Sequence, residues 1–510
     1  MRPSRRLILA AGVAAPFVLR TGALGASDPF TLGVASGEPT PDGFVIWTRL
    51  APFPLAPDGL GGMTGAADLR FEIATDEAMR QVVHRGETRT DPARGHAVHI
   101  EIAGLNPDRP YWYRFYGLGA ASLIGRARTV PAPGAPVQTL RLAVASCAHW
   151  EAGFFSAYRH MAEENPDLVL FLGDYIYEYS YAASRSVVRR HDIAAETRTL
   201  AQYRNRYALH RTDPDLQALH AAAPCLAIWD DHEVQNDYGA GWSQNPMTPD
   251  DVFALRRAAA YQAFIEHMPL RPRHPAAKLY ARHGWSDLAD IAVLDTRQYR
   301  SRHACERPGT RRAYVAPLTC RDIDDPSRSL LGEEQERWLY DGFGASGARW
   351  NIVAQQLLVS PLVQKTPDGA DGAFTDGWSG FAANRERMLR AMADSRLANP
   401  VFLGGDLHAF AVSRLLTDVR DPASPVIASE FVGTSISSDA APDSVVEALP
   451  RNPHVLNLDN RQRGYLSISL NRSQMETRLQ AISDREDRNA SVSTAKRFVV
   501  EAGRPGPVEG

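Results

Sequence analysis

Four apolar runs of this chain end on a side chain able to bind a metal ion. "LRLAVASC", "LVLFLGD", "CLAIWDD" and "VFLGGD" finish on Cys147, on Asp174, on Asp230 and Asp231, and on Asp406. Runs of this length read as buried strands. A charge left at the end of a buried strand is costly unless it is paired or bound to a cation. Tyr177 follows Asp174, while His232, Glu233 and Asn236 follow Asp231, and His408 follows Asp406. In open α/β sheets the carboxyl ends of the strands line the ligand crevice. These four strands therefore bring carboxylate, imidazole, thiol and phenol groups to one rim. Taken singly, each has a plainer explanation: an aspartate at a strand end is commonly a helix cap, a lone histidine commonly a core residue, and a cysteine after a strand commonly a packing residue. Agreement among four independent strand ends is the stronger signal.

These strands, together with "IAVLDT" and "WNIVAQQ", alternate with helical stretches such as "FFSAYRHMAEEN", "VFALRRAAAYQAFIEHM" and "EEQERWLYDGF". That alternation predicts an α/β domain over residues 139–510, with central sheets flanked by helices. Residues 27–130 read differently. "GFVIWTRL", "LRFEIATD", "HAVHIEIAGL" and "YWYRFYGL" are short strands separated by turn formers, the pattern of an all-β, immunoglobulin- or fibronectin-like sandwich. "PAPGAPVQ", residues 131–138, reads as a linker. A chain of 510 residues is long enough for two domains.

The first twenty-six residues contain four arginines and no acid, with Arg5 and Arg6 ahead of an alanine-rich apolar stretch and a small-residue segment at residues 23–26. This is the pattern of a Tat export signal, cleaved after Gly25 or Ala26. The plainer alternative is an uncleaved basic anchor. The expected location is periplasmic or extracellular, with the Tat machinery as a partner. Loss of the four arginines takes the net charge from −3 to −7, without the basic surplus of a nucleic-acid binder. No later segment has the apolar length that spans a bilayer. In an exported protein, Cys305 and Cys320 suit a disulfide closing the polar loop between them. Cys225 reads as an inert core thiol.

The "GD", "DDHE" and "GDLH" stations resemble the calcineurin-like dinuclear metallophosphoesterases, with departures: Cys147 stands where Asp-x-His is usual, Tyr177 stands near the second carboxylate, Asp231 replaces an asparagine and Asp406 replaces a histidine. The blocks "FTLGVASGEPTPDGFVIWTRLAP", "ASC", "GDYIYEY", "WDDHEVQND", "LDTRQYR", "WNIVAQQ" and "GDLHAF" resemble, in order and over almost the whole chain, the PhoD-like alkaline phosphatase and phosphodiesterase family. The resemblance implies a metallophosphoesterase-type sandwich of central sheets and outer helices. It implies Fe(3+) held by Cys147, Asp174, Tyr177 and His408, and one or two Ca(2+) held by Asp174, Asn236 and Asp406, with Asp174 shared. Asp231 is expected as a ligand or the partner of one, and His232 as a contact to phosphate or the acid for the leaving group. Anionic donors suit ferric iron, and calcium takes oxygen ligands.

The implied reaction is hydrolysis of phosphomonoesters, phosphodiesters or both by in-line attack of a metal-bound hydroxide. A related reading is a phosphodiesterase of phospholipase D type acting on lipid headgroups or teichoic-acid-like polymers. A non-catalytic envelope binding protein with structural metals is the reading from another class. A mononuclear iron oxidoreductase fits the thiolate and phenolate poorly. Arg297, in "LDTRQYR", is either a contact to a phosphate oxygen or an arginine paired with Asp295 or another structural acid. Trp378 shapes the pocket mouth or belongs to the core, and "VGTSISS", Val432 to Ser438, reads as a loop and not a P-loop.

Overall fold

A computed structural model describes residues 28–182, 185–271, 278–421 and 423–510. The expected export signal, residues 1–26, lies outside the described residues. A ten-stranded sheet runs, in spatial order, through Arg504–Glu509, Val492–Glu501, Gln474–Ile482, Arg463–Asn471, Thr139–Ala145, Leu168–Leu172, Cys225–Ile228, Val34–Thr40, Gly43–Arg49 and Ala97–Ile102. A seven-stranded sheet runs through Ala281–Trp285, Ala289–Val293, Trp350–Ala354, Pro400–Gly404, Val426–Val432, Phe410–Leu416 and Val455–Asp459. The central strands of both sheets are parallel. Such strands are covered on both faces and so are apolar throughout, which is why Leu168–Leu172 and Trp350–Ala354 are buried at every position.

The two sheets pack against each other. Leu142, Leu170 and Ile228 from one share a core with Ile291, Ile352 and Leu403 from the other. The outer face of the seven-stranded sheet is covered by Leu339 and Phe343 of the helix Gly332–Ala345 and by Met388 and Met392 of the helix Ala382–Asp394. Trp378 is fully buried in this second core, which gives it a core role and not one at a pocket mouth. Among the described residues no helix is long and apolar enough to cross a membrane.

Part of the N-terminal region joins the larger sheet. Val34–Thr40 pairs in parallel with Cys225–Ile228 through Gly37 and Cys225. A Cβ on Gly37 would lie 2.4 Å from the Pro269 carbonyl oxygen, so the close approach there requires glycine. A separate five-stranded sheet, including Asp68–Ala74 and Pro110–Gly117, closes over these strands. Ile46 and Phe44 pack there against Phe71 and Phe115. The strands Val34–Thr40, Gly43–Arg49 and Ala97–Ile102 thus extend the larger sheet from the N-terminal side of the expected boundary near residues 131–138. Cys305 and Cys320 form the expected disulfide, and Cys225 is a buried free thiol.

Candidate metal centre

Strand register builds the site. Phe171 pairs with Ala145 and Leu172 with Ile228 in one sheet, and Gly404 with Val432 in the other, so the strand ends lie level within each sheet. Cys147, Asp174, Asp230 and Asp406 each stand two residues past the end of their strand. At three of these four the backbone turns into the left-handed region, with φ 62° at Cys147, 52° at Asp174 and 58° at Asp406; His408, two residues further on, has φ 54°. Non-glycine residues rarely adopt this conformation, and such strain collects at functional sites. Gly173, at φ 89°, precedes Asp174; a Cβ there would lie 2.4 Å from the Asp230 Cβ. The glycine of the Gly-Asp station is thus what lets two strand ends approach each other.

Three overlapping sets of donor atoms result, each with its atoms within 4.8 Å of one another: Cys147, Asp174 and His408; Asp174, Asp231 and His232; and Asp230, Asp231 and Asp406. The Tyr177 hydroxyl joins the first set. It donates to Asp174 Oδ2 at 2.9 Å and lies 3.0 Å from His408 Nε2. All four residues expected around iron therefore meet, and Asp174 is common to the first two sets. Asn236 is engaged through Nδ2 of its side chain, which leaves its Oδ1 for a cation. Its side-chain amide donates to Gln244 Oε1 at 3.2 Å and its backbone N–H to Glu178 Oε1 at 2.8 Å.

The electrostatics of this cluster call for positive charge. Burial pushes the Asp174 and Asp406 carboxyls well above the usual range, and neighbouring carboxylates add to the effect. Burial and the Asp174 charge likewise raise the Cys147 thiol and the Tyr177 phenol. Burial lowers His408 to about 4. Asp174 Oδ1, Asp230 Oδ2 and Asp231 Oδ1 are buried with no hydrogen-bond partner among the described residues. Buried, unpartnered carboxylate oxygens cost several kcal/mol unless a cation meets them. The donor set fits multivalent cations.

The two catalytic candidates beside Asp231 have distinct surroundings. His232 Nδ1 lies 2.7 Å from Glu178 Oε2, and its ring sits 4.1 Å, centroid to centroid, from Tyr177. Burial opposes its charge, but the Asp231, Glu178 and Asp174 carboxylates outweigh burial and raise His232 well above its ordinary value. Arg297 is fully buried and turned towards acids. Its guanidinium forms a bidentate pair with Asp376 at 2.8 Å, bonds Asp230 through Nε, and lies 3.8 Å from Asp231 Oδ1. Asp295 instead receives the Arg297 backbone N–H and the Trp229 indole.

Several contributors to the site escaped the sequence reading. Glu233, expected as one more possible donor, is a backbone clamp: it accepts from Asp174 N at 3.1 Å, Asp230 N at 2.7 Å and Tyr175 N at 2.6 Å. Asp376 also binds Arg300 and His303, at 2.7 and 2.8 Å; its only signal was an acid two residues from a buried tryptophan. Glu178 gave no signal beyond its place in an aromatic turn. Ser438, in the segment read as a plain loop, donates to the Cys147 carbonyl at 2.8 Å, and its hydroxyl lies 2.9 Å from that of Tyr177.

Residues 142–479 match the model of the PhoD-like phosphatase family, and residues 18–131 match that of the PhoD-like phosphatase N-terminal domain. The chain is 41% identical over 493 residues to alkaline phosphatase D of Bacillus subtilis (strain 168), covering 94% of this chain and 82% of that protein. A solved structure described as that of PhoD superposes with a TM-score of 0.88 at 40% identity, covering 96% of this chain and 93% of that one. The chain belongs to the PhoD-like phosphatase family and is a phosphoric ester hydrolase.

Proposed function

We propose that this chain is an exported, metal-dependent phosphoesterase that hydrolyses phosphomonoesters, phosphodiesters or both by in-line displacement. Ferric iron would be held by Cys147, Asp174, Tyr177 and His408, and calcium by Asp174, Asp231, Asp406 and Asn236. The observation that supports this most is the meeting of Cys147, Asp174, Tyr177 and His408 beside a second carboxylate group that shares Asp174. Thiolate and phenolate suit a trivalent ion, and the carboxylates of the second group suit calcium. When bound, the cations supply Lewis acidity towards the phosphoryl oxygens and make water acidic enough to attack near neutral pH. Export would follow from the twin-arginine leader of residues 1–26.

The protein's own groups have separate tasks in this reading. The Glu178 carboxylate accepts a hydrogen bond from Nδ1–H of His232, which leaves Nε2–H to give its proton to the departing ester oxygen. Glu233 holds the Asp174 and Asp230 turns together, and so sets the spacing of the two cation groups. Arg297 works through Asp230 and Asp376, fixing carboxylates instead of touching phosphate. Asp174→Asn tests the reading by weakening the shared donor. Turnover of p-nitrophenyl phosphate should fall by about a thousandfold or more, in step with lost metal; a variant near wild-type rate refutes it.

A further inference from the structure

A cleft of about 750 Å³, lined by Gln235 and by the Gln244 that bonds Asn236, has no part in the reaction derived above. Gln235, Gln244, Asn245 and Thr310 give it hydrogen-bonding groups, and Leu200 and Phe253 give it apolar wall. Its charge is unbalanced. Arg198, Arg256 and Arg312 line it against the one acid Glu196, an excess of two positive charges. Glu196 is shared by Arg256 at 2.8 Å and Arg198 at 3.1 Å. Arg312 is exposed, and its guanidinium has no ion pair among the described residues.

The cleft is joined to the centre through short contacts. Gln244 holds the Asn236 amide, and Gln235 precedes Asn236 in the chain. The next residue, Asp237, donates its backbone N–H to Asp231 Oδ2 at 2.7 Å and accepts the Ala313 N–H at 3.0 Å. The Arg311 N–H bonds the Gln244 carbonyl at 3.0 Å. Gly309, Thr310 and Arg312, inside the loop closed by the Cys305–Cys320 disulfide, form one wall. A covalently closed loop is therefore pinned to the segment that carries Asp231 and Asn236, and its Arg312, without an ion pair among the described residues, lines the cleft.

We propose that this cleft is a subsite for the second arm of a phosphodiester, and that it selects arms bearing negative charge. The inference rests on the phosphoesterase reading. A single scissile phosphate would be met by the bound cations without Arg312; a surplus of guanidinium and amide groups in a volume able to hold a multi-carbon polar arm recognises a further carboxylate or phosphate on it.

The test uses three p-nitrophenyl diesters that differ only in the second arm: 2-carboxyethyl, ethyl and 2-(trimethylammonio)ethyl. With full-length holoenzyme, kcat/KM should fall in that order. Each step should be about threefold to fivefold, as expected for charges partly open to solvent, and should shrink as salt is added. Arg312→Glu should abolish or invert the carboxyethyl-to-trimethylammonioethyl ratio. Because each variant supplies its own ratio, a general loss of activity cancels, and Arg198→Glu serves as a second probe should the first variant fold poorly. Equal rates for the three arms in the wild type, or an unchanged ratio in both variants, overturns the subsite. Failure to hydrolyse any of the three diesters or p-nitrophenyl phosphate would instead defeat the phosphoesterase reading itself.

Discussion

Glu178 Oε2 and His232 Nδ1 lie 2.7 Å apart, both residues are buried, and the His232 ring sits 4.1 Å from that of Tyr177. A carboxylate on Nδ1 fixes which ring nitrogen is left to work on the substrate. If His232 protonates the departing oxygen, Glu178→Ala should be sensitive to the leaving group. Turnover of an alkyl phosphate should drop about tenfold to a hundredfold further than that of p-nitrophenyl phosphate, whose phenolate leaves without a proton. Glu178→Gln, which can still accept a hydrogen bond, should recover part of the difference. An equal loss on both substrates would make Glu178 a packing residue only.

The Tyr177 hydroxyl, within hydrogen-bond distance of both Asp174 and His408, gives an optical test. A phenolate bound to ferric iron absorbs visible light, so the purified enzyme should be coloured and Tyr177→Phe should lose that band while retaining fold. An iron-replete wild type without visible absorption would remove Tyr177 from the iron set.

Arg297 offers a stability test. It is fully buried and engages Asp376 and Asp230. Arg297→Met leaves those carboxylates without their cation and should cost about 3–5 kcal/mol in denaturant unfolding. A variant as stable as wild type but with a much higher KM for phosphate esters would show that the guanidinium serves the substrate instead.

How much of this was readable beforehand follows from where the physical signal lies. Asp174 and Asp406 were legible because an apolar run that stops on an acid announces a buried charge with a purpose. Cys147, Tyr177 and His408 became persuasive through their agreement with those acids. The rest depends on contacts made only in the folded chain. Gly37 meeting Cys225 carries the sheet into the N-terminal region, and no local pattern announces that pairing. Glu233 resembles a ligand in sequence, yet its carboxylate is taken by three backbone N–H groups. Glu178 and Asp376 find their partners 54 and 79 residues away. Asn236 follows the expected station, and its bond through Nδ2 to Gln244 has no signal in the sequence.

In the proposed function, hydrolysis depends on multivalent cations held at these strand ends. The most direct measurement is the metal content of the purified full chain, with p-nitrophenyl phosphate turnover followed before chelation, after it, and on re-addition of calcium. Iron and calcium should co-purify, chelation should remove turnover, and calcium should restore it. A metal-free chain that turns over at the undiminished rate would contradict the account.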